Sequence, residues 1–256
     1  MTISALYLAA GQGSRMGQRK LPLTLSDGLP LGAMALRTLA ASSVNRIAVV
    51  VHPDDSLSWL DSRDETEQPY GLEKVEKVLC EQAEQGMSRS LRSGLSGLLE
   101  REPQLSAVLV LLADQPFVSL RSIDALIATK RQRPELDFAA LTLAKERSQS
   151  MSDDYRPPAL LGRTMFAELL ALEGDRGARS LLASGRYRGA GVCVRDHAEL
   201  WDVDTPGQLE MARRYYASKL MGGMQRKGGR MDGEAMGSCQ SSKGMAPQVD
   251  RGGLDA

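Results

Sequence analysis

The chain has no long hydrophobic run: nothing in its 256 residues approaches the apolar length that a membrane-spanning helix needs, so no membrane partner is expected. Its N-terminus lacks the basic region and small-residue cleavage site of a secretory leader. Cysteine is scarce. Cys80, Cys193 and Cys239 are odd in number and widely scattered, which excludes a disulfide framework and a zinc-ligand pattern and points to a reducing cytoplasm. Histidine is scarcer still: His52 and His197 are the only two, and neither lies in a nucleophile motif, so Ser-His-Asp chemistry has no footing. Neither charge sign is in excess, 32 Lys and Arg balancing 32 Asp and Glu, so charge alone suggests no nucleic-acid partner. Two familiar phosphate fingerprints are absent as well. Gly11, Gly13 and Gly17 are spaced G-x-G-x-x-x-G rather than G-x-G-x-x-G, and no G-K-[ST] closes a P-loop.

What is present is a short apolar run, Leu6 to Ala10, entering a loop rich in glycine and cations that ends at Lys20-Leu21-Pro22. Glycines let a backbone approach a ligand closely, and successive N–H groups of such a turn make an anion site. Arg15 and Lys20 add side-chain charge suited to phosphates. A generic turn after a strand fits the glycine spacing about as well.

Downstream, apolar and β-branched runs at 47–52, 75–80, 107–113 and 138–143 predict strands. Helical spacing predicts helices over 31–42, 122–130, 164–172 and 207–219. Thr24 to Pro30 and Ser148 to Pro158 read as turn and loop. Gln85 to Leu95 reads as a loop entering a helix, with Ser88 or Ser90 as N-cap. Alternation of strand and helix predicts an α/β fold with a largely parallel sheet. From Met221 the chain is dense in Gly, Ser, Met, Lys and Gln and poor in branched aliphatics, so residues 1–220 are expected to form the domain and 221–256 a disordered tail.

Two further features bear on chemistry. Asp114 follows the most hydrophobic strand, at the sheet edge where open α/β folds bind ligands. A carboxylate there suits Mg²⁺, but an Asp before Pro116 also suits a turn capping the next helix. Asp202 and Asp204 point the same way if their segment is extended, and one of them could complete a metal site with Asp114. Asp204-Thr205-Pro206 reads equally as a helix start.

Taken together, these residues resemble the nucleotidyltransferases of the nucleotide-diphospho-sugar transferase fold, and most of all the molybdenum cofactor cytidylyltransferase (MobA-like NTP transferase) branch. The matching motifs run in order. They are L-A-A-G-x-x-x-R-M-G-x-x-K-L at Leu8 to Leu21, G-M-S-x-S-L-x-x-G-L at Gly86 to Leu95, and a G-D-Q-P-like motif at Ala113 to Pro116. L-x-G-D-x-G-A-R at Leu172 to Arg179 and D-[IV]-D-T-P at Asp202 to Pro206 complete the series. The resemblance implies a three-layer, Rossmann-like fold with a mostly parallel central sheet. It implies nucleotide contacts from Leu8, Ala9, Ala10, Gly11, Gly13, Arg15, Lys20, Ser90, Gly94 and Asp114, with Arg15, Lys20 and Asp114 catalytic and Asp114 and Asp204 holding Mg²⁺. In the family, Ala at the third position of L-A-x-G goes with cytidylyl transfer, so Ala10 favours CTP. The implied reaction joins CMP to a molybdopterin-type acceptor and releases pyrophosphate.

Two positions depart from the family pattern. Ala113 replaces Gly before the aspartate, which leaves the carboxylate in place. Tyr155-Arg156-Pro157-Pro158 stands where the family often has Gly-His-Pro. That Pro-Pro form, with Leu31-Gly32-Ala33-Met34, looks more like accessory proteins of purine catabolism that serve xanthine dehydrogenase, a molybdenum-dependent dehydrogenase. Two alternatives go with these features: transfer to a sugar or polyol phosphate by the same fold, and a cofactor-binding chaperone with little turnover.

Overall fold

A computed structural model describes residues 1–11, 13–26, 28–60, 72–143, 155–175 and 177–227. Residues Met1–Ser218 form one compact unit, and Lys219–Ala256 are grouped separately. Its core is a seven-stranded sheet. Strands β1 (Ile3–Leu8), β4 (Ile47–Val51) and β6 (Ala107–Leu112) are apolar along almost their whole length because both faces are covered. They pair in parallel, with Ile3 opposite Ala107 and Ala5 opposite Ile47. β5 (Val75–Leu79) extends the sheet beyond β4. On the other side lie β8 (Arg156–Gly162), β7 (Phe138–Thr142) and β9 (Gly189–Cys193), giving the order β5-β4-β1-β6-β8-β7-β9. β8 is antiparallel to both of its neighbours and every other pair is parallel. A small antiparallel pair, β2 (Thr24–Ser26) and β3 (Leu29–Pro30), occupies the stretch read as a turn.

The two-residue period of β1 divides the core. Ile3, Ala5 and Tyr7 face α1 (Leu31–Ala40) and α3 (Leu120–Gln132) through Leu36, Leu39, Ile123 and Leu126. Leu6 and Leu8 face the opposite layer. There α2 (Met87–Arg101) contributes Leu91, Leu95 and Leu98, and the short helices α4 (Phe166–Leu170) and α5 (Arg179–Leu182) contribute Phe166, Leu169 and Leu182. Three layers result, as the expected fold class requires.

Several local expectations are corrected. Strand β8 begins inside the expected loop, at Arg156. Its prolines hid it, because proline cannot donate to a ladder. Here Pro157 and Pro158, joined by a cis peptide bond, lie beyond the residues paired with β6, where the pairing with β7 also shifts register. Residues 144–154 of that expected loop lie outside the described residues. Neither Ser88 nor Ser90 caps α2. The helix starts from Gly86, with φ of 112°, and its free N–H groups are met from far along the chain. Gly174 O accepts from Ser88 N at 3.3 Å and Asp175 Oδ1 from Met87 N at 3.4 Å. Asp114 caps no helix either, since Ser119 Oγ is the acceptor that opens α3. Finally, α6 (Pro206–Lys227) runs past residue 221, so the expected tail begins inside a helix; residues 228–256 lie outside the described residues. Among the described residues, no helix is long and apolar enough to cross a membrane.

Candidate active site

The site forms where β1 and β6 end side by side. Leu8 O accepts from Ala113 N at 3.0 Å, so both strands release their chains at one level of the sheet. After β1 the chain makes a tight loop. Gly13 and Gly17 take φ of 66° and 73°, a region that L side chains avoid. Gly13 has a second constraint: a Cβ there would fall 2.9 Å from Gln18 O, where the loop closes on itself. Met16 anchors the loop in a small cluster with Leu31, Val203, Leu209 and Ala212. Leu21 anchors its far end, accepting at O from Gly32 N at 3.0 Å. Next to the first anchor Arg15 stays exposed, whereas Lys20, next to the second, is buried with only 7% of its surface exposed.

Lys20 is the hub. Its Nζ donates to Asp114 Oδ2 at 2.6 Å and to Asp204 Oδ1 at 2.6 Å. Arg15 pairs with the other oxygen of that second carboxylate, Asp204 Oδ2, at 2.8 Å. The two carboxylates are held near one another by backbone as well, since Val203 N donates to Asp114 O at 3.0 Å. Asp204 immediately precedes a reciprocal cap. Thr205 Oγ1 accepts from Gln208 N at 3.3 Å, while Gln208 Oε1 accepts from Thr205 N at 3.0 Å and Asp204 N at 2.9 Å. The helix-start reading is therefore right for this segment, and it leaves the Asp204 carboxylate free to face the loop. Asp202 turns to a different partner, accepting at Oδ1 from Gln115 Nε2 at 2.8 Å.

Electrostatics follow from this geometry. Burial lowers the Lys20 pKa, but the Asp114 and Asp204 carboxylates more than offset it, so the ammonium titrates above the ordinary lysine value. Burial and then the Asp114 charge push the Asp202 carboxyl above the usual range. The same two causes, in the same order, push the Tyr7 phenol far up. It stays neutral, donating to Gly32 O at 2.7 Å.

A cavity of about 330 Å³ opens beside the hub, within the usual range for small-molecule sites. Leu8, Ala9, Ala10, Gly11, Gly13, Lys20 and Asp114 form one wall; Ala83, Glu84, Gly86, Met87, Ser90 and Asp175 form another. A second space of about 450 Å³ lies along the same loop, reaching His52, Asp54 and Asp55. Of the expected nucleotide residues, all but two line the first cavity. Arg15 does not line it; its side chain pairs with Asp204, which does not line the cavity either and is tied to it through Lys20. Gly94 does not reach it, because a Cβ there would fall 2.6 Å from Val50 Cγ2 and 2.8 Å from Leu6 Cδ2, deep between α2 and the sheet. Its place is helix–sheet packing. Asp175 and Met87 line the cavity without having been singled out. Both lie in quoted motifs, and their signal is that the two motifs dock. Arg92 donates to Leu172 O at 2.8 Å, and Gly86 packs on the Gly174 backbone.

The carboxylates suit a hard divalent cation. Both are oxygen donors in reach of a single cationic atom, and Asp114 Oδ1 is buried with no hydrogen-bond partner. Among the described residues no group of three or more His, Cys, Asp or Glu forms a metal cluster, so further ligands would come from phosphate and water. That donor set fits Mg²⁺.

The sequence pattern of the MobA-like NTP transferase domain matches residues 5–190. Over 218 residues the chain is 34% identical to the purine catabolism protein PucB of Bacillus subtilis (strain 168), covering 82% of this chain and 95% of that protein. Rv0371c from Mycobacterium tuberculosis H37Rv superposes with a TM-score of 0.65 at 22% identity, covering 84% of this chain and 99% of that one. That protein has also been solved as a complex with manganese. Molybdopterin-guanine dinucleotide biosynthesis protein A from Archaeoglobus fulgidus superposes with a TM-score of 0.58 at 17% identity, over 84% of this chain and 99% of that one. At such identities the likeness to the two solved structures is one of fold.

Proposed function

The chain belongs to the MobA-like NTP transferases, and from that premise we propose that it transfers CMP from CTP to the terminal phosphate of a molybdopterin cofactor, releasing pyrophosphate. The observation that carries this reading is the meeting of Arg15, Lys20, Asp114 and Asp204 beside a cavity walled by the glycine loop. Ala10 and Ser90 take the cytosine end, and the backbone around Ala9, Ala10 and Gly11 follows the phosphates. Arg15 and Lys20 bind the triphosphate and stabilise the charge that develops on the departing pyrophosphate. Asp114 and Asp204 would hold Mg²⁺. The ion supplies charge neutralisation on the phosphate oxygens.

The acceptor phosphate is ionised at neutral pH, so these residues need only align it with the α-phosphorus, and no general base is called for. As the new P–O bond forms, the bond to the β-phosphate breaks and its electrons leave with pyrophosphate. The name of the Bacillus relative supports a role in purine catabolism; in this reading the beneficiary is a xanthine dehydrogenase-type enzyme of the cytoplasm, as the sequence resemblance implies. A second reading, transfer to a sugar or polyol phosphate, is favoured by Tyr155 to Pro158, which carry no histidine on the expected acceptor side.

The test is pyrophosphate release by purified protein with Mg²⁺ and each of CTP, GTP, ATP and UTP. Molybdenum-bearing molybdopterin is offered in one series and polyol and sugar phosphates in another. Release is expected with CTP and molybdopterin alone. Release with a polyol phosphate would favour the second reading, and none with any pair would overturn both.

A further inference from the structure

The four oxygens of Asp114 and Asp204 are not equally placed. Asp114 Oδ2 and Asp204 Oδ1 both accept from Lys20 Nζ at 2.6 Å, and Asp204 Oδ2 pairs with Arg15 at 2.8 Å. Only Asp114 Oδ1 is bare, and it is buried. Three of the four oxygens that could bind a divalent cation are thus already paired with the chain's own cations. Lys20 Nζ lies within hydrogen-bond distance of one oxygen from each carboxylate and so supplies the positive charge between them that a divalent cation held by the pair would supply. Ammonium and metal therefore compete for the pair.

The fold also supplies a means of releasing Lys20. Lys20 and Arg15 stand on the loop whose backbone lines the cavity, and Lys20 lines the cavity itself. An anion lodged against Ala9, Ala10, Gly11 and Gly13 competes with the carboxylates for both side chains. Resting on the nucleotidyltransferase reading above, we propose that Lys20 is the resident counter-ion of the Asp114–Asp204 pair. On this proposal the triphosphate opens the metal site by drawing Lys20 away from it, so that metal and nucleotide bind as one unit. Lys20 then holds two posts in turn: on the carboxylates while the site is empty, and on the triphosphate once metal has replaced it. A lysine that served only the phosphates would leave metal binding untouched in the absence of nucleotide.

The decisive test removes the ammonium and titrates the metal alone. Mn²⁺ binding without nucleotide is followed by calorimetry for the full chain, for Lys20→Met and for Lys20→Arg. Lys20→Met is expected to bind Mn²⁺ at least tenfold more tightly than the parent, while Lys20→Arg, which keeps the charge, stays weak. Equal or weaker Mn²⁺ binding by a folded Lys20→Met protein overturns the proposal.

Should Lys20→Met fail to fold, the unmodified protein decides. Reductive methylation followed by peptide mass spectrometry reads the exposure of the Lys20 amine. Lys20 is expected to resist labelling without metal and to label several-fold faster in saturating Mn²⁺. Unchanged labelling in protein shown to bind Mn²⁺ overturns the exchange. If the unmodified protein binds CTP with Mn²⁺ but neither the Lys20→Met gain in Mn²⁺ affinity nor the rise in Lys20 labelling is seen, the exchange alone is refuted, whereas unmodified protein that binds neither CTP nor Mn²⁺ refutes the nucleotidyltransferase site together with it.

Discussion

Replacing Gly94 by alanine sets two physical effects against each other, and the structure says which wins. Gly94 lies in the interior of α2, where alanine is favoured over glycine by about 1 kcal/mol through helix propensity. The added Cβ, however, would fall 2.6 Å from Val50 Cγ2 and 2.8 Å from Leu6 Cδ2. Comfortable carbon contacts lie near ~3.5–4.0 Å, so α2 must lift by roughly 1 Å or both side chains must leave their rotamers. Val50 is β-branched and both side chains are buried, so neither yields easily. Overpacking of this kind costs about 1–3 kcal/mol. After the propensity gain, a net loss of about 1 kcal/mol remains, equivalent to a fall in Tm of roughly 2–4 °C for a domain of this size. Urea and thermal denaturation read it directly. Ser90 lies one turn upstream on the same helix and lines the cavity, so CTP affinity should fall a few-fold with it. A Gly94→Ala protein about 1 kcal/mol more stable than the parent would refute the reasoning, since propensity would then have met no steric resistance.

Three other substitutions probe the frame of the site. Gln208→Ala removes the acceptor for Asp204 N and Thr205 N; it should cost about 1 kcal/mol in denaturant and weaken Mn²⁺-supported CTP binding, and unchanged binding would mean that the cap does not position Asp204. Gly86→Ala places a Cβ 2.6 Å from the Gly174 backbone at a φ of 112°; a loss of about 2–4 kcal/mol is expected in urea, and free tolerance would contradict the docking of the Gly174 loop on α2. Asp137→Asn tests acid stability. The Thr164 hydroxyl and the Arg188 N–H, donating at 2.7 and 2.8 Å, hold the Asp137 carboxyl below its usual range despite partial burial. Its contribution is therefore present above the unfolded pKa of about 4 and lost as pH falls through the folded value, so the stability gap between parent and variant should shrink from pH 7 towards pH 2. A gap independent of pH would rule that origin out.

How much of this could be read in advance depends on the range of the interaction. β1, β4 and β6 are legible because a strand covered on both faces must be apolar throughout. Asp114 stands out because a carboxylate ends the most apolar of them. β8 escapes notice because its prolines sit beyond its pairing with β6 and at the register shift of its pairing with β7. The start of α2 is misread for a different reason: its N–H partners, Gly174 and Asp175, lie far along the chain, and local capping rules cannot see them. The ion pairs of Lys20 with Asp114 and Asp204 are hidden likewise. Residue types suggested a phosphate ligand and two metal ligands, but only the fold shows them bonded to one another. Gly94 shows the converse error, a motif residue taken for ligand contact whose place is between helix and sheet.

The central claim is that this chain moves a nucleotidyl group by attack at the α-phosphorus. Radiolabelled CTP measures this most directly, with ³²P placed at the α position in one preparation and at the γ position in the other, incubated with Mg²⁺ and molybdopterin. The account predicts α-label in the acceptor product and γ-label only in pyrophosphate. Transfer of γ-label to the acceptor, or α-label recovered only as free CMP, would contradict it.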